Sequence, residues 1–213
     1  MSELRLSIAM SLDGYAAGAD QSEANPLGVG GMQLHEWVFP LKEFKEMHGG
    51  DGGEVNASSS VLQERRRGVG ATIMGRNMFG PVRGPWPDES WRGWWGEDPP
   101  YHHPVFVLTH HAREPLEMQG GTTFHFVTDG IESALAQATD AAQGGDIWLA
   151  GGASVANQYL AAGLVDEIDI SIAPVILGGG ARLFDGLVRG AVELEQVRAT
   201  DAPGVTHIKY RIG

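Results

Sequence analysis

The sequence contains no cysteine, and that one absence removes disulfides, thiolate nucleophiles, zinc–thiolate sites and dithiol redox chemistry together. Basic residues are scarce: 15 Lys and Arg stand against 27 Asp and Glu, for a net charge of −12. A surface of that sign repels nucleic acid and anionic membranes, so neither is expected as a partner. No apolar run reaches the roughly 18 residues a transmembrane helix needs. The opening MSELRLSIAMSLDG lacks the basic and apolar regions of a secretion signal, and a cytoplasmic location is expected. Two nucleotide-binding signatures are missing as well: residues 10–15 hold no G-x-G-x-x-G, and G-x-x-x-x-G-K-[ST] occurs nowhere. What is abundant is glycine, 31 of 213 residues, about twice the usual share. Its pairs and triplets mark backbone that approaches another group closely.

Periodicity divides the chain into strands and helices. Leu4–Met10 reads as a first strand, closed by the turn Asp13-Gly14. From Tyr15 to His35 there is little period, and so long a connection inside a compact domain implies a functional loop. Glu36–Met47 spaces Val38, Leu41 and Phe44 at three-residue steps and predicts a helix, with Pro40 tolerated in its first turn. Gly49–Gly53 is a loop. Ser60 and Gln63 match a capping box opening a helix whose Arg65, Arg66 and Arg67 form an exposed, dipole-favoured end. Ala71–Met74 predicts a buried strand running into Gly75-Arg76-Asn77. Residues 81–104, proline-rich and carrying Trp86, Trp91, Trp94 and Trp95, predict an aperiodic aromatic loop.

Strands at Val105–Thr109 and Thr122–Val127 come next. A helix over Gly130–Ala142, capped by Asp129 with Glu132 three residues on, buries Ile131, Leu135, Ala138 and Ala142. The strand Asp146–Ala150 breaks at Gly151-Gly152 into a helix ending near Gly163. Glu167–Pro174, Ala191–Ala199 and Val205–Ile212 read as strands, the last two antiparallel at the sheet edge. The predicted architecture is one α/β domain over residues 1–213. A mostly parallel central sheet is flanked by helices, with antiparallel C-terminal edge strands.

Three segments could carry chemistry. At 146–162 a strand, two glycines and a helix start offer unpaired amides and a positive dipole end to a pyrophosphate; the same turn also serves as a packing device. At 71–80 Arg76 stands at the carboxyl end of a strand, where open α/β sheets bind ligands; a plain surface arginine is the alternative. At 105–113 Thr109 and His110 occupy another strand end. The pairs His110-His111 and His102-His103 do not suggest a metal, because adjacent side chains diverge and no carboxylate accompanies them.

Five further positions are candidates. Asp13 could touch substrate or supply a proton, since a shielded carboxyl titrates closer to neutrality; as a turn residue it would bond its own backbone. Trp37 either packs over a bound ring or sits in the core. Arg182, after Gly178–Gly180, meets a substrate phosphate or pairs with Asp185. Glu36 and Lys42 fall on a solvated helix face.

In chain order, ATIMGRNMFG at 71–80, VFVLTHH at 105–111 and WLAGGASVANQYL at 148–160 resemble the dihydrofolate reductase superfamily. AMSLDGYAA at 9–17 and DEIDISIAPVILGGGARLF at 166–184 are similar to its branch containing the riboflavin-biosynthesis reductase domain of RibD C-terminal type. The resemblance implies an NADPH-dependent reductase of a small heterocycle, most like 5-amino-6-(5-phosphoribosylamino)uracil reductase, and commonly a homodimer. It places the Ala9 backbone at the nicotinamide amide, and Gly75, Arg76 and Asn77 at the phosphates. Thr109 and His110 fall at the adenosine and its 2′-phosphate, and Gly151, Gly152, Ala153, Ser154 and Val155 at the pyrophosphate.

Two positions depart from the family's patterns. Aligning WVFP at 37–40 puts Lys42 where dihydrofolate reductases carry the acid that grips the pterin, and a cation cannot accept that N–H pair. Ala150 stands where riboflavin-type reductases commonly have an acid before the glycine pair. Weak folate reduction, a dinucleotide-binding module without turnover, and a flavin- or deazaflavin-using enzyme are the alternatives.

Overall fold

The computed structural model describes residues 2–80 and 84–213. Its framework is a sheet of β1 (Leu4–Ser11), β3 (Val69–Gly75), β4 (Pro104–Leu108), β5 (Leu116–Glu117), β6 (Thr123–Val127), β7 (Asp146–Gly151), β8 (Glu167–Ala173), β10 (Leu194–Ala202) and β11 (Val205–Ile212). The spatial order is β10-β11-β8-β1-β7-β3-β4-β6-β5. From β8 to β6 every pairing is parallel, while β11, β10 and β5 pair antiparallel at the two edges. The central strands are buried on both faces, which is why β3 reads as the near-continuous apolar run Ala71–Met74 and not as an alternation.

One face is covered by α4 (Ile131–Ala141) and α5 (Ala153–Ala161), which pack on Leu6, Ile73 and Leu149. The Tyr159 hydroxyl of α5 donates to the Ile131 carbonyl at 2.8 Å and ties the two helices together. The opposite face is covered in two separate places. Trp86, Trp91, Trp95 and Tyr101 lie over Phe79, Val105, Val107 and Phe124. On the other side, Trp37 and Leu41 join Val205 and Leu62 of α2 (Ala57–Arg66). Ser7, Ala9, Trp148 and Ala150 floor the gap between these two covers.

Several predicted boundaries shift, each for a local reason. The expected helix 36–47 shrinks to α1 (Lys42–Met47): Pro40 lacks an N–H and Leu41 is an extended N-cap at φ −69°, ψ 145°. α2 opens three residues before Ser60, because Asn56 caps it; its side chain accepts from the Ser58 amide at 2.9 Å, and the Ser59 hydroxyl answers the Asn56 amide. α4 is entered through Gly130 at φ 91° with no side-chain cap, so Asp129 does not cap it. The last edge strand is Leu194–Ala202 where 191–199 was expected.

The segment 15–35 is built, not loose. Its β2 (Tyr15–Ala17) pairs with β9 (Ala181–Arg182), and Gly18 and Val29 exchange backbone bonds with Leu27 and Ala19. A Cβ on Gly28, at φ +72°, would lie 2.2 Å from the Gly18 carbonyl oxygen, so only glycine closes this loop. Of the expected aromatic loop, residues 81–83 lie outside the described residues. Among the described residues no helix is long and apolar enough to cross a membrane.

At the end of α2, Arg66 and Arg67 are exposed as expected, but Arg65 is not. Its guanidinium turns inward to Asp169 and to the Ser171 hydroxyl, the latter at 2.9 Å. Beside it the His207 ring bridges Ser58 and Ser171, each at 2.9 Å. Burial, reinforced by Arg65, pulls this imidazole down to about 4. A histidine depressed from its ordinary 6.5 adds stability that is complete above that value and is lost as pH falls toward the folded value. His103, also held at about 4, acts in the same direction. The urea midpoint is therefore expected to drop between about pH 7 and about pH 5; an unchanged midpoint would contradict the neutral buried imidazoles.

Candidate functional site

The parallel strands all end at one edge, and a cleft of about 1320 Å³ runs from that edge onto the floor between the two covers. Gly75 ends β3 against the start of α5. A Cβ there would stand 2.8 Å from Val155 Cγ2 and 3.7 Å from both the Gly151 carbonyl oxygen and the Gly152 nitrogen. Strand end and helix start touch only because that methylene is absent. Gly151 is at φ +104°, a conformation that favours glycine, and a Cβ on Gly152 would meet nothing within 4 Å. The N-cap of α5 thus faces open space, and the first amides of a helix have no intrahelical partner.

Arg76 follows Gly75 directly and opens the short α3 (Arg76–Phe79). Its guanidinium lies 3.1 Å from the Trp86 ring centroid and donates to the Gly84 carbonyl and the Thr109 hydroxyl, both at 3.3 Å. The Thr109 hydroxyl in turn accepts from the His111 amide at 3.2 Å. The structure therefore brings together Ala9, Gly75, Arg76, Asn77, Thr109, His110 and the Gly152–Val155 helix start on one cleft wall; Gly151 is buried just behind it.

The cleft's charge is as informative as its shape. Among the described residues its lining contains Arg65, Arg66 and Arg76 and six histidines, and not one Asp or Glu, in a chain of net charge −12. Carboxylates have been kept out of a concavity that collects helix amides and guanidinium groups, which is the electrostatic arrangement for an anionic ligand.

Other sequence candidates are placed elsewhere. Asp13 does not enter the cleft lining: its carboxylate accepts from the Leu177 and Gly178 amides at 3.1 and 2.7 Å. The Ser11 hydroxyl, with those amides, holds it at about 2, so it is no proton donor at neutral pH and acts as a clasp between two loops. Arg182 donates to the Asp13 carbonyl at 3.2 Å and lies over the Tyr15 ring, bracing that turn, and among the described residues makes no ion pair with Asp185. Trp37 is buried, in line with its expected place in the core. Its indole N–H donates to the Leu34 carbonyl and its ring meets His207 edge-on, while the same residue lines the cleft. Glu36 is exposed.

Lys42 pairs with Glu46 on α1, outside the cleft lining, so the alignment that set it at a pterin-gripping position fails. Both α1 and α2 border the cleft, α1 through Phe44 and Met47 and α2 through Leu62, Arg65 and Arg66. Sequence reasoning missed Arg66, Tyr101, His103 and Trp148. The tryptophan-rich stretch was the available signal for the aromatic half, but an aperiodic loop gives no phase from which to place its side chains.

The clasp yields a test. Asp13 lies below its ordinary 3.8, so its contribution is complete above about pH 4 and is lost as pH falls toward 2. Asp13→Asn is expected to speed amide hydrogen exchange at Leu177 and Gly178 at neutral pH; wild-type protection there would contradict the clasp.

Comparison with known proteins adds a lineage to this geometry. A family model described as the RibD C-terminal domain matches residues 2–207. A Shewanella sp. PV-4 protein named for riboflavin biosynthesis shares the fold with a TM-score of 0.65 at 23% identity, over 99% of both chains. The Thermotoga maritima diaminohydroxyphosphoribosylaminopyrimidine deaminase/5-amino-6-(5-phosphoribosylamino)uracil reductase gives 0.56 at 13% identity; it covers 100% of this chain, which spans 57% of that protein. The uncharacterized protein YyaP of Bacillus subtilis (strain 168) is 46% identical over 68 residues, 32% of this chain and 36% of YyaP.

Proposed function

The chain belongs to the RibD C-terminal domain family, and on that premise we propose that it is an NADPH-dependent reductase of a small heterocycle, of the 5-amino-6-(5-phosphoribosylamino)uracil reductase type. The observation that carries the reading is the edge where Gly75 abuts the start of α5, with Arg76 lining the same cleft. A dinucleotide bearing an extra phosphate fits that wall. The amides of Gly152, Ala153 and Ser154 would take the diphosphate, Arg76 and Asn77 a phosphate, and Thr109 and His110 the adenosine end. The Ala9 backbone on β1 would meet the nicotinamide amide.

Bound NADPH would supply a hydride. The chain's own residues bind and orient: Ala9 and Ala150 lie on the floor between the two covers, where small side chains would let two rings approach. Among the described residues the cleft lining offers no carboxylate to accept a pterin N–H pair, which favours other heterocycles over folates.

Two measurements test this. The first follows loss of reduced-cofactor absorbance with the phosphoribosylaminouracil and with dihydrofolate; faster oxidation with the former is expected, and the reverse order would contradict the assignment. In the second, calorimetric titration should show NADPH bound more tightly than NADH, and Arg76→Gln should weaken NADPH by about 10- to 100-fold, the worth of a charge-assisted hydrogen bond. Equal affinity for the two cofactors would remove Arg76 from the phosphate site.

A further inference from the structure

The half of the cleft away from Arg76 is walled by the aromatic segment. Tyr101 is its innermost residue, only 7% exposed. Four neighbours fix its ring: Trp95 at 5.2 Å and 85°, Phe124 at 6.2 Å, His103 at 6.1 Å and Trp148 at 6.0 Å between centroids. Buried tyrosine hydroxyls ordinarily find a hydrogen-bond partner. The Tyr101 hydroxyl has none among the described residues, yet it is not one of the sealed unpartnered polar atoms, so it opens on the cleft that Tyr101 lines.

We propose that Tyr101 is a specificity-determining residue, its hydroxyl hydrogen-bonding a ring nitrogen or carbonyl of a planar heterocyclic acceptor that stacks in the aromatic half of the cleft. The inference rests on the reductase reading and names the part of the site that holds the acceptor. A ring fits because the surroundings are faces and edges of other rings: Trp95 to one side and Trp148 in the floor. A phenol suits the task because it can donate to a ring acceptor or accept from a ring N–H. Burial pushes Tyr101 above its ordinary 10 and keeps it neutral at physiological pH. His103 beside it has one ring nitrogen occupied, with Nε2 2.7 Å from the Thr72 hydroxyl. Among the tyrosine, histidine and indole groups of this corner, Tyr101 is thus the one that can both donate and accept with no protein partner among the described residues.

The test is calorimetric titration of wild type and Tyr101→Phe with pterin and with 5-aminouracil, both with and without saturating NADP+. Ribose 5-phosphate serves as a control without an aromatic ring. The substitution keeps the ring and its packing, which near-UV circular dichroism verifies. At least one ring probe is expected to bind wild type, and Tyr101→Phe to weaken it by about five- to tenfold, one neutral hydrogen bond, with NADP+ affinity unchanged. Equal binding to both proteins, or binding of ribose 5-phosphate but of neither ring probe, would overturn the proposal. Failure to bind NADP+ would count against the reductase reading instead, and the cofactor-free titration would still decide Tyr101.

Discussion

A missing methylene at Gly75 brings the end of β3 against the first turn of α5, and most of the candidate site follows from that contact. With any side chain there, the strand would push on Val155 at 2.8 Å and the helix start would move away from the sheet edge. With glycine, the strand end stays against the helix start, and the next residue, Arg76, lines the same cleft from the Trp86 and Thr109 side. The lining adds arginines and histidines and no carboxylate, so the surplus of acid in this chain sits elsewhere on the molecule. The proposed anion site at this edge thus follows from how the carboxyl ends of parallel strands meet helix starts.

The remaining elements hold the cleft open. On one side α2 is bound to the sheet through Arg65, Asp169, Ser171, His207 and Ser58, a buried polar chain in which these side chains answer one another. On the other, the segment from Trp86 to Tyr101 packs its rings on Phe79 and Phe124. Trp86 and Trp91 each donate an indole N–H to a backbone carbonyl, of His111 and Phe79 respectively. At the far rim the Asp13 clasp and Arg182 tie the first turn to the 177–182 loop. A rigid frame around an open floor is the expected form of a site that must align two rings at contact distance.

Much of this was legible in the residues. The parallel core announced itself through short apolar runs bounded by glycine, and the edge bearing Gly75, Arg76, Thr109 and Gly152 was readable because strand ends in an open α/β sheet share one side. What escaped reading depended on contacts between distant segments. Asp13 looked like an acid in waiting because its sequence neighbours do not reveal Leu177 and Gly178, which bind its carboxylate from across the fold. Arg65 looked solvated because its partners Asp169 and Ser171 lie on a strand about a hundred residues later. Lys42 was read into the middle of a helix from Glu36, whereas Pro40 and the extended Leu41 delay that helix until Lys42, and Asn56 rather than Ser60 caps the next one. Proline and tryptophan foretold that 86–101 would be an irregular aromatic cover; only packing shows which face Tyr101 turns inward.

The most direct measurement is a crystal structure of the protein grown with NADP+. The account predicts the diphosphate within hydrogen-bonding distance of the Gly152, Ala153 and Ser154 amides, with the Arg76 guanidinium on a phosphate oxygen and the nicotinamide over Ala9. Density for the dinucleotide on any other surface, or at this edge with Arg76 turned away from every phosphate, would contradict it.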